Sequence, residues 1–466
     1  MKIFQILFAF FTILPIIAQT DFACPMHADV HSKTPGKCPI CAMILQPAKP
    51  VVSRGPALKL EDLERMALEA NPTIGQAQAL VEAAAGRAQQ AGLRPNPSFG
   101  ANGEHVSRVT GGGAIGGFVE QRFVTAGKLG LSRKVALQEQ AMYVENQNVQ
   151  KQRLLNSVRK LYYQAMGDEL LINFRSDLAD LAVRAVGVSK ELANVGQADR
   201  PDLLASEAEA ERLQLDLVIA QNAKDRTWRQ LAALLNQPSL KPVALVGNLE
   251  EIPKLDVDQA LEAIYRDSPE LRAAEVGVRH SQLTVRRAEV QKIPDIFVRG
   301  GLRNNREYGE IGPKGPTQRR GLEGIFDVSV QIPIFNRNQG AVKAAKADAE
   351  HARLEVNRTK LALKSRLASE YKDYQDASIS AEVYRTKILP KARQAHELYL
   401  SNFRQMAGAY PQALVAQRTL LQLQINYIEV LGQTWLHYSE IQGFLLGSET
   451  ELGMPKQMGE AGNSKE

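Results

Sequence analysis

Beyond Cys41 the sequence has no cysteine; all three of its thiols fall between Cys24 and Cys41 of a 466-residue chain. A disulfide framework therefore cannot hold the remainder together, and its stability has to come from packing. Aromatic residues are also scarce, at 6% with only two tryptophans. A nucleic-acid surface usually shows a basic patch with aromatics interleaved, and none is present. The 57 basic and 51 acidic residues are instead mixed along the chain, the pattern of solvated helix faces. After residue 20 there is no run of about eighteen apolar residues, which excludes a transmembrane helix from that part of the sequence. No phosphate-binding loop, nucleophile elbow or pair of acid–base carboxylates stands out. No catalytic residue is assigned, and an enzyme is not expected.

What is present begins with "MKIFQILFAFFTILPIIAQT". Lys2, an apolar run and then small and polar residues have the shape of a signal peptide over 1–20. Asp21 and Phe22 stand where a lipoprotein signal needs small residues, so Cys24 is a poor lipidation site. The thiols follow at once, as Cys24-x2-His27 and Cys38-x2-Cys41, with Met26 and Met43 beside them. Two short-spaced pairs of soft donors on either side of a small loop suit a tetrahedral metal site. Pro25 and Pro39 stiffen the two turns. Thiolate and thioether donors favour Cu(I), and the three cysteines with one histidine also suit Zn(II). A disulfide with one odd thiol is the competing reading, although three cysteines cannot all pair. His31, in the spacer, is expected to face solvent. The candidate ligands are thus Cys24, Met26, His27, Cys38, Cys41 and Met43, in a module over 21–47 followed by a Pro-containing linker at 48–56.

The rest of the chain is written twice, over 57–250 and 251–447, ahead of a polar tail at 448–466 expected to be disordered. At an offset of 197, Leu58 meets Leu255, Pro72 meets Pro269, Ala77 meets Ala274 and Pro97 meets Pro294. Further on the offset is 210: Gln121 meets Gln331, Gly130 meets Gly340, Pro201 meets Pro411 and Leu204 meets Leu414. The change of 13 residues places an insertion between Pro294 and Gln331, where "NNREYGEIGPKGPTQRRGLEG" reads as an exposed loop. Each copy predicts a helix starting at Asn71–Pro72 or Ser268–Pro269, where Asn or Ser caps and Pro fills the first turn. A hairpin follows, then a long helix over 128–195 or 340–403, then a further helix from Arg200 or Tyr410. At ~1.5 Å per residue, a helix of nearly 70 residues spans roughly 100 Å, more than a compact domain holds. Ala210, Leu213, Leu217, Ala220, Lys224, Trp228, Leu231 and Leu235 step by three and four. So do Leu421, Ile425, Ile428, Leu431, Trp435, Tyr438, Ile441 and Leu445. Such narrow seams are coiled-coil contacts, and both tryptophans are expected in the core.

The hairpins alternate. "IFVRGGLR" puts Ile296, Val298 and Leu302 on one face and Arg299 and Arg303 on the other. "IFDVSVQIP" separates Phe326, Val328, Val330 and Ile332 from Asp327, Ser329 and Gln331. One apolar and one wet face fits a membrane barrel, with Arg299, Arg303, Asp327, Ser329 and Gln331 toward the lumen. Four strands cannot close a barrel, since about eight is the practical minimum and lipid does not tolerate open edges. Several chains must therefore pool their hairpins.

Residues 57 to about 447 resemble the TolC-type outer-membrane efflux family, through the "NP" and "SP" helix starts, Gln121, Gln331, Gly130 and Gly340. The turn "VGQADRPDLLASEAE" is similar to the helix tip of its heavy-metal subgroup. "CPMHADVHSKTPGKCPICAMIL" resembles the small heavy-metal-binding domain attached to bacterial metal pumps, with Ala42 in place of a usual glycine. The resemblance implies a mainly α fold with one hairpin per repeat. It also implies a homotrimer with a twelve-stranded outer-membrane barrel, a long helical tunnel in the periplasm, and docking to a periplasmic adaptor that joins an inner-membrane pump. Gly196, Asp199, Pro201, Asp202, Leu203, Leu204, Gly408 and Pro411 fall at the implied tunnel tip. The second tip, "QMAGAYPQAL", lacks the acidic residues often found there, so Asp199 and Asp202 are the gating candidates, with helix capping as their other role. The function implied is a duct exporting heavy-metal ions, such as copper or silver, or zinc, cobalt or cadmium. The alternatives are a periplasmic adaptor, which would carry one hairpin and a split lipoyl domain, or a multidrug duct.

Overall fold

The computed structural model describes residues 57–106, 113–194, 199–310, 317–404 and 410–446, and the backbone of three short strands nearer the N-terminus. The chain divides into two units, Met1–Leu58 and Lys59–Glu466. In the first, β1 (Phe22–Ala23) pairs antiparallel with β2 (His31–Ser32) and with β3 (Gln46–Pro47). The expected signal peptide, the linker at 48–56, all six metal-donor side chains, Gly196, Gly408 and the tail at 448–466 lie outside the described residues.

The second unit runs twice through one order of elements. The first half is α1 (Leu60–Ala70), α2 (Pro72–Ala91), β4 (Ser98–Glu104), β5 (Ala114–Phe123), α3 (Lys128–Asn194) and α4 (Arg200–Leu234). The second half opens with α5 (Val257–Asp267), α6 (Pro269–Val290), β6 (Ile296–Glu310) and β7 (Thr317–Val330). It continues with α7 (Gln339–Val383), α8 (Leu389–Arg404) and α9 (Tyr410–Gln442). The helix starts are built as their residues dictate. Asn71 accepts from the Thr73 amide at 2.9 Å, and its Nδ2 donates to Leu234 O at 3.0 Å, tying the start of α2 to the end of α4. Ser268 caps α6 through the Leu271 amide at 3.4 Å.

Both seams are buried. Leu213, Trp228 and Leu231 lie in the core in the first half, as do Ile425, Leu431 and Trp435 in the second. Near the tips Leu178, Leu181 and Ala182 of α3 pack with Ala210 and Leu213 of α4 and with Leu421 and Ile425 of α9. Trp435 donates to Leu249 O at 2.8 Å and stacks on Tyr163 with ring centroids 4.1 Å apart. Asn156, fully buried on α3, donates to Gly443 O and Leu446 O at 3.1 Å each, satisfying carbonyls just past the end of α9. A Cβ at Gly443 would meet that amide at 1.8 Å, so a larger residue there would displace Asn156 from both carbonyls.

Two expectations need correction. The inserted stretch 304–324 is not mainly a loop: β6 extends to Glu310 and β7 begins at Thr317, so most of it lengthens the second hairpin. Its Gly- and charge-rich composition signals exposure, which one wet sheet face also satisfies. The second long helix is not continuous either. A π turn at Tyr384–Ile388 separates α7 from α8, with the Leu389 amide bonding Tyr384 O. Pro390 follows and has no amide to give, so the ladder is disturbed there.

Candidate functional site

Two places combine unusual surface with chemistry: the sheet, and the helix tips. The sheet runs β4-β5-β6-β7, every neighbour antiparallel, and the β5–β6 pairing joins the hairpins of the two halves from Phe123↔Ile296 to Ala114↔Asn305. Alternation along each strand makes two unlike faces. One carries Phe99, Ile115, Val119, Phe123, Leu302, Leu322, Phe326 and Val328, all exposed, with Phe99 at 78% and Phe326 at 74%. Water makes such an array of exposed apolar side chains costly.

The other face holds Arg299, Arg303, Asp327 and Ser329, four of the five residues expected there. Gln331 follows the last residue of β7, outside the strand. Arg299 grips Glu120 Oε2 from Nε at 2.9 Å and Nη2 at 2.6 Å, and its guanidinium lies 4.5 Å from the centre of the Phe118 ring. Arg303 donates from Nε to Glu323 at 2.7 Å and from Nη1 to Glu104 at 2.5 Å, and Asn305 Nδ2 donates to Glu323 at 2.9 Å. The acidic partners Glu104, Glu120 and Glu323 were not singled out from sequence, although Glu120 and Glu323 occupy the alternating positions that would have found them.

The copies are not in one register through the sheet. Phe99 pairs with Val119, whereas its counterpart Ile296 pairs with Val330, an offset of 211 rather than 210. Gln121 consequently sits opposite Val298 on the apolar face, where its Nε2 donates to Pro95 O at 2.9 Å, so it is not the structural counterpart of Gln331.

Where strands meet helices, one carboxylate ties the halves together. Asp295 accepts from Lys128 Nζ at 2.7 Å, from Arg122 Nη2 at 2.7 Å and from the Thr125 amide at 3.1 Å. Lys128 is itself buried and also donates to Ile293 O. Burial pushes the Asp295 carboxyl up, but the hydrogen bonds from Lys128, Arg122 and Thr125 outweigh it and hold it at about 2. Nothing local predicts this clamp, because Lys128 and Asp295 are 167 residues apart.

At the tips, Asp199 precedes α4 in extended conformation and its side chain makes no cap bond; its carbonyl receives the amides of Asp202 and Leu203 instead. Pro201 fills the first turn, and Leu204 is 55% exposed beside it. Pro411 lies in the first turn of α9. A groove of about 290 Å³ lies between α3, α4 and α9, lined by Leu181, Ala205, Leu213, Leu414 and Val415. Arg418 of α9 bridges it to Glu209 of α4 at 2.7 Å. Among the described residues no helix is long and apolar enough to cross a membrane, and no group of three or more His, Cys, Asp or Glu could hold a metal ion.

Comparison with known proteins gives a family profile described as "Outer membrane efflux protein" over residues 63–237 and 260–440. A second profile, "Heavy metal binding domain", matches residues 22–48. The cobalt-zinc-cadmium resistance protein CzcC of Cupriavidus metallidurans is 26% identical over 257 residues, 55% of this chain and 59% of that protein. The chain thus aligns with less than two thirds of that relative. Among solved structures, CusC is 15% identical with a TM-score of 0.67, covering 84% of this chain and 92% of that one. The outer membrane protein VceC from Vibrio cholerae is 18% identical with a TM-score of 0.65, covering 84% and 96%. These two likenesses establish the fold.

Proposed function

Because the chain belongs to the outer membrane efflux protein family, we propose that it is the outer-membrane duct of a tripartite efflux assembly and that its cargo is heavy-metal cations. The observation that carries the reading is the two-faced sheet. Its apolar face is exposed in the single chain, and β4 and β7 end it with unpaired edges. Lipid accepts the face but not the edges. Three chains would pool their strands into a closed barrel of twelve, with β7 of one chain meeting β4 of the next, and would bring α3, α4, α7, α8 and α9 together as a tunnel. At 67 residues, α3 alone reaches about 100 Å. That length suits a duct whose tips, with Asp199, Pro201, Asp202, Leu203, Leu204 and Pro411, meet a periplasmic adaptor and through it an inner-membrane pump. The duplicated helix–hairpin–helix order does not favour the adaptor reading.

The metal cargo is supported by the N-terminal module and by the stated role of CzcC in cobalt, zinc and cadmium resistance. Three thiols, an imidazole and two thioethers fit a soft ion, so Cys24, Met26, His27, Cys38, Cys41 and Met43 would hold Cu(I) or Zn(II). A leader at 1–20 would deliver the chain across the inner membrane. The test is expression of the full chain in cells lacking their own ducts. A detergent-stable trimer, conductance in planar bilayers and restored tolerance to copper, zinc, cobalt or cadmium are expected. Release by salt wash without detergent, or a conducting monomer, overturns the reading. Restored tolerance to organic drugs without any effect on metals overturns the cargo.

A further inference from the structure

We propose that the wet face of the sheet is a cation filter built from two cross-strand rungs, each an acid, an arginine and an acid. The inference deepens the duct reading and rests on it. Along the regular ladder that face carries four carboxylates, Glu104, Glu120, Glu323 and Asp327, and three arginines, Arg122, Arg299 and Arg303. Arg122 shares Asp295 with the buried Lys128 at the foot of the sheet, each at 2.7 Å, which leaves one positive charge there, below the rungs. Two arginines remain among four carboxylates.

They are arranged rung by rung. Glu120 of β5, Arg299 of β6 and Asp327 of β7 stand in one register row. The second rung joins Glu104 of β4, Arg303 of β6 and Glu323 of β7. Arg303 reaches Glu104 diagonally, because its own register row runs Asn102–Gly116–Arg303 and residue 116 on β5 is glycine. A Cβ there would come within 2.5 Å of both Arg303 Cβ and Leu302 O, so the arginine crosses bare backbone to reach the far strand. Each rung therefore carries one surplus negative charge, although the whole chain is formally +6. The rungs are four residues apart, about 13 Å at ~3.3 Å per residue, beyond the Debye length of about 8 Å in physiological salt. A passing ion meets them one after the other.

The arginines also keep the carboxylates from becoming a trap. An ion that bound Glu104, Glu120 or Glu323 would have to displace guanidinium groups held at 2.5–2.9 Å. The rungs attract cations without coordinating them, the condition for passage rather than storage. Nearer the hairpin ends the charges are mixed, with Arg306, Arg319 and Arg320 against Glu307 and Glu310, so the surplus is confined to the ladder.

The test is the reversal potential of the full chain in planar bilayers under a KCl gradient. The wild type should prefer K⁺ over Cl⁻. Glu323→Gln combined with Asp327→Asn leaves each rung neutral and should lower the permeability ratio about two- to threefold, with the trimer intact. Asp327→Asn alone, which keeps the shape of the side chain, should move the ratio the same way by a smaller step. Conductance without cation preference, or a ratio unmoved in both variants, overturns the filter and leaves the duct reading standing. A preference lost instead in Asp199→Asn with Asp202→Asn places selection at the tips and overturns it equally. Absence of conductance in inserted protein overturns both readings.

Discussion

The two halves share one order of elements yet solve the same problems with different chemistry. At the root of the first long helix stands Lys128, buried and bonded to Asp295 and Ile293 O. At the root of the second long helix Asn338, one residue before α7, takes a left-handed conformation at φ 62°, as Gly127 does before α3 at φ 64°, and donates to Ala288 O at 2.8 Å. The first half runs its long helix unbroken for 67 residues, and the second interrupts its helix with a π turn ahead of Pro390. The first hairpin has strands of 7 and 10 residues, the second of 15 and 14. A repeated pattern of apolar seams is enough to repeat the helices. The joints between elements are free to diverge, because each needs only that its own polar groups be satisfied.

The largest expected effect breaks the first half's joint. Lys128→Met leaves Asp295 buried with one cation fewer and should cost about 3–5 kcal/mol, seen as loss of trimer heat stability. Asn338→Ala, at the matching joint, loses one hydrogen bond and puts alanine in left-handed backbone, and should cost about 1–2 kcal/mol. The same clamp sets an acid dependence. The Asp295 carboxyl is held at about 2, below its ordinary value, so its contribution is complete above about pH 4 and disappears as pH falls toward 2. A melting profile against pH should show that limb in the wild type and flatten it in Lys128→Met.

Next comes the helix contrast. Asp180 is exposed on α3 and is the counterpart of Pro390 at the 210 offset. Asp180→Pro should cost about 3 kcal/mol, because α3 has no π turn to absorb the lost amide. Pro390→Ala should change stability by less than about 1 kcal/mol. Equal losses in the two variants would show that the halves tolerate interruption alike. The sheet faces give a slightly smaller effect: Phe326→Arg should cost about 2–4 kcal/mol if it lies near the bilayer midplane, whereas Ser329→Arg should assemble and alter conductance. The smallest structural effect is expected from Cys38→Ser with Cys41→Ser. Trimer formation and conductance should be unchanged, and metal bound per chain, measured by elemental analysis, should fall below that of the wild type.

Helices were the most legible part of this protein. The caps at Asn71 and Ser268 and the seams through Trp228 and Trp435 are all local or periodic, and all are found where the sequence indicates. The alternation in β6 and β7 likewise displayed its two faces. The stretch 304–324 misled because a strand with one wet face holds glycine and charge as readily as a loop does. Glu104 and Glu120 escaped notice because their partners, Arg303 and Arg299, are 199 and 179 residues away.

By itself, the sequence determined the duplication, the long helices, the amphipathic hairpins and the thiol-rich module, because each depends on spacing within one segment. Only the tertiary structure decided the one-residue register shift between the hairpins, the Lys128–Asp295 clamp, the capping of α9 by Asn156 and the charge rungs across three strands. Those features pair groups from distant segments. Their energies depend on distances that no local pattern encodes, and they exist only once the chain has folded back and brought the groups within hydrogen-bond reach.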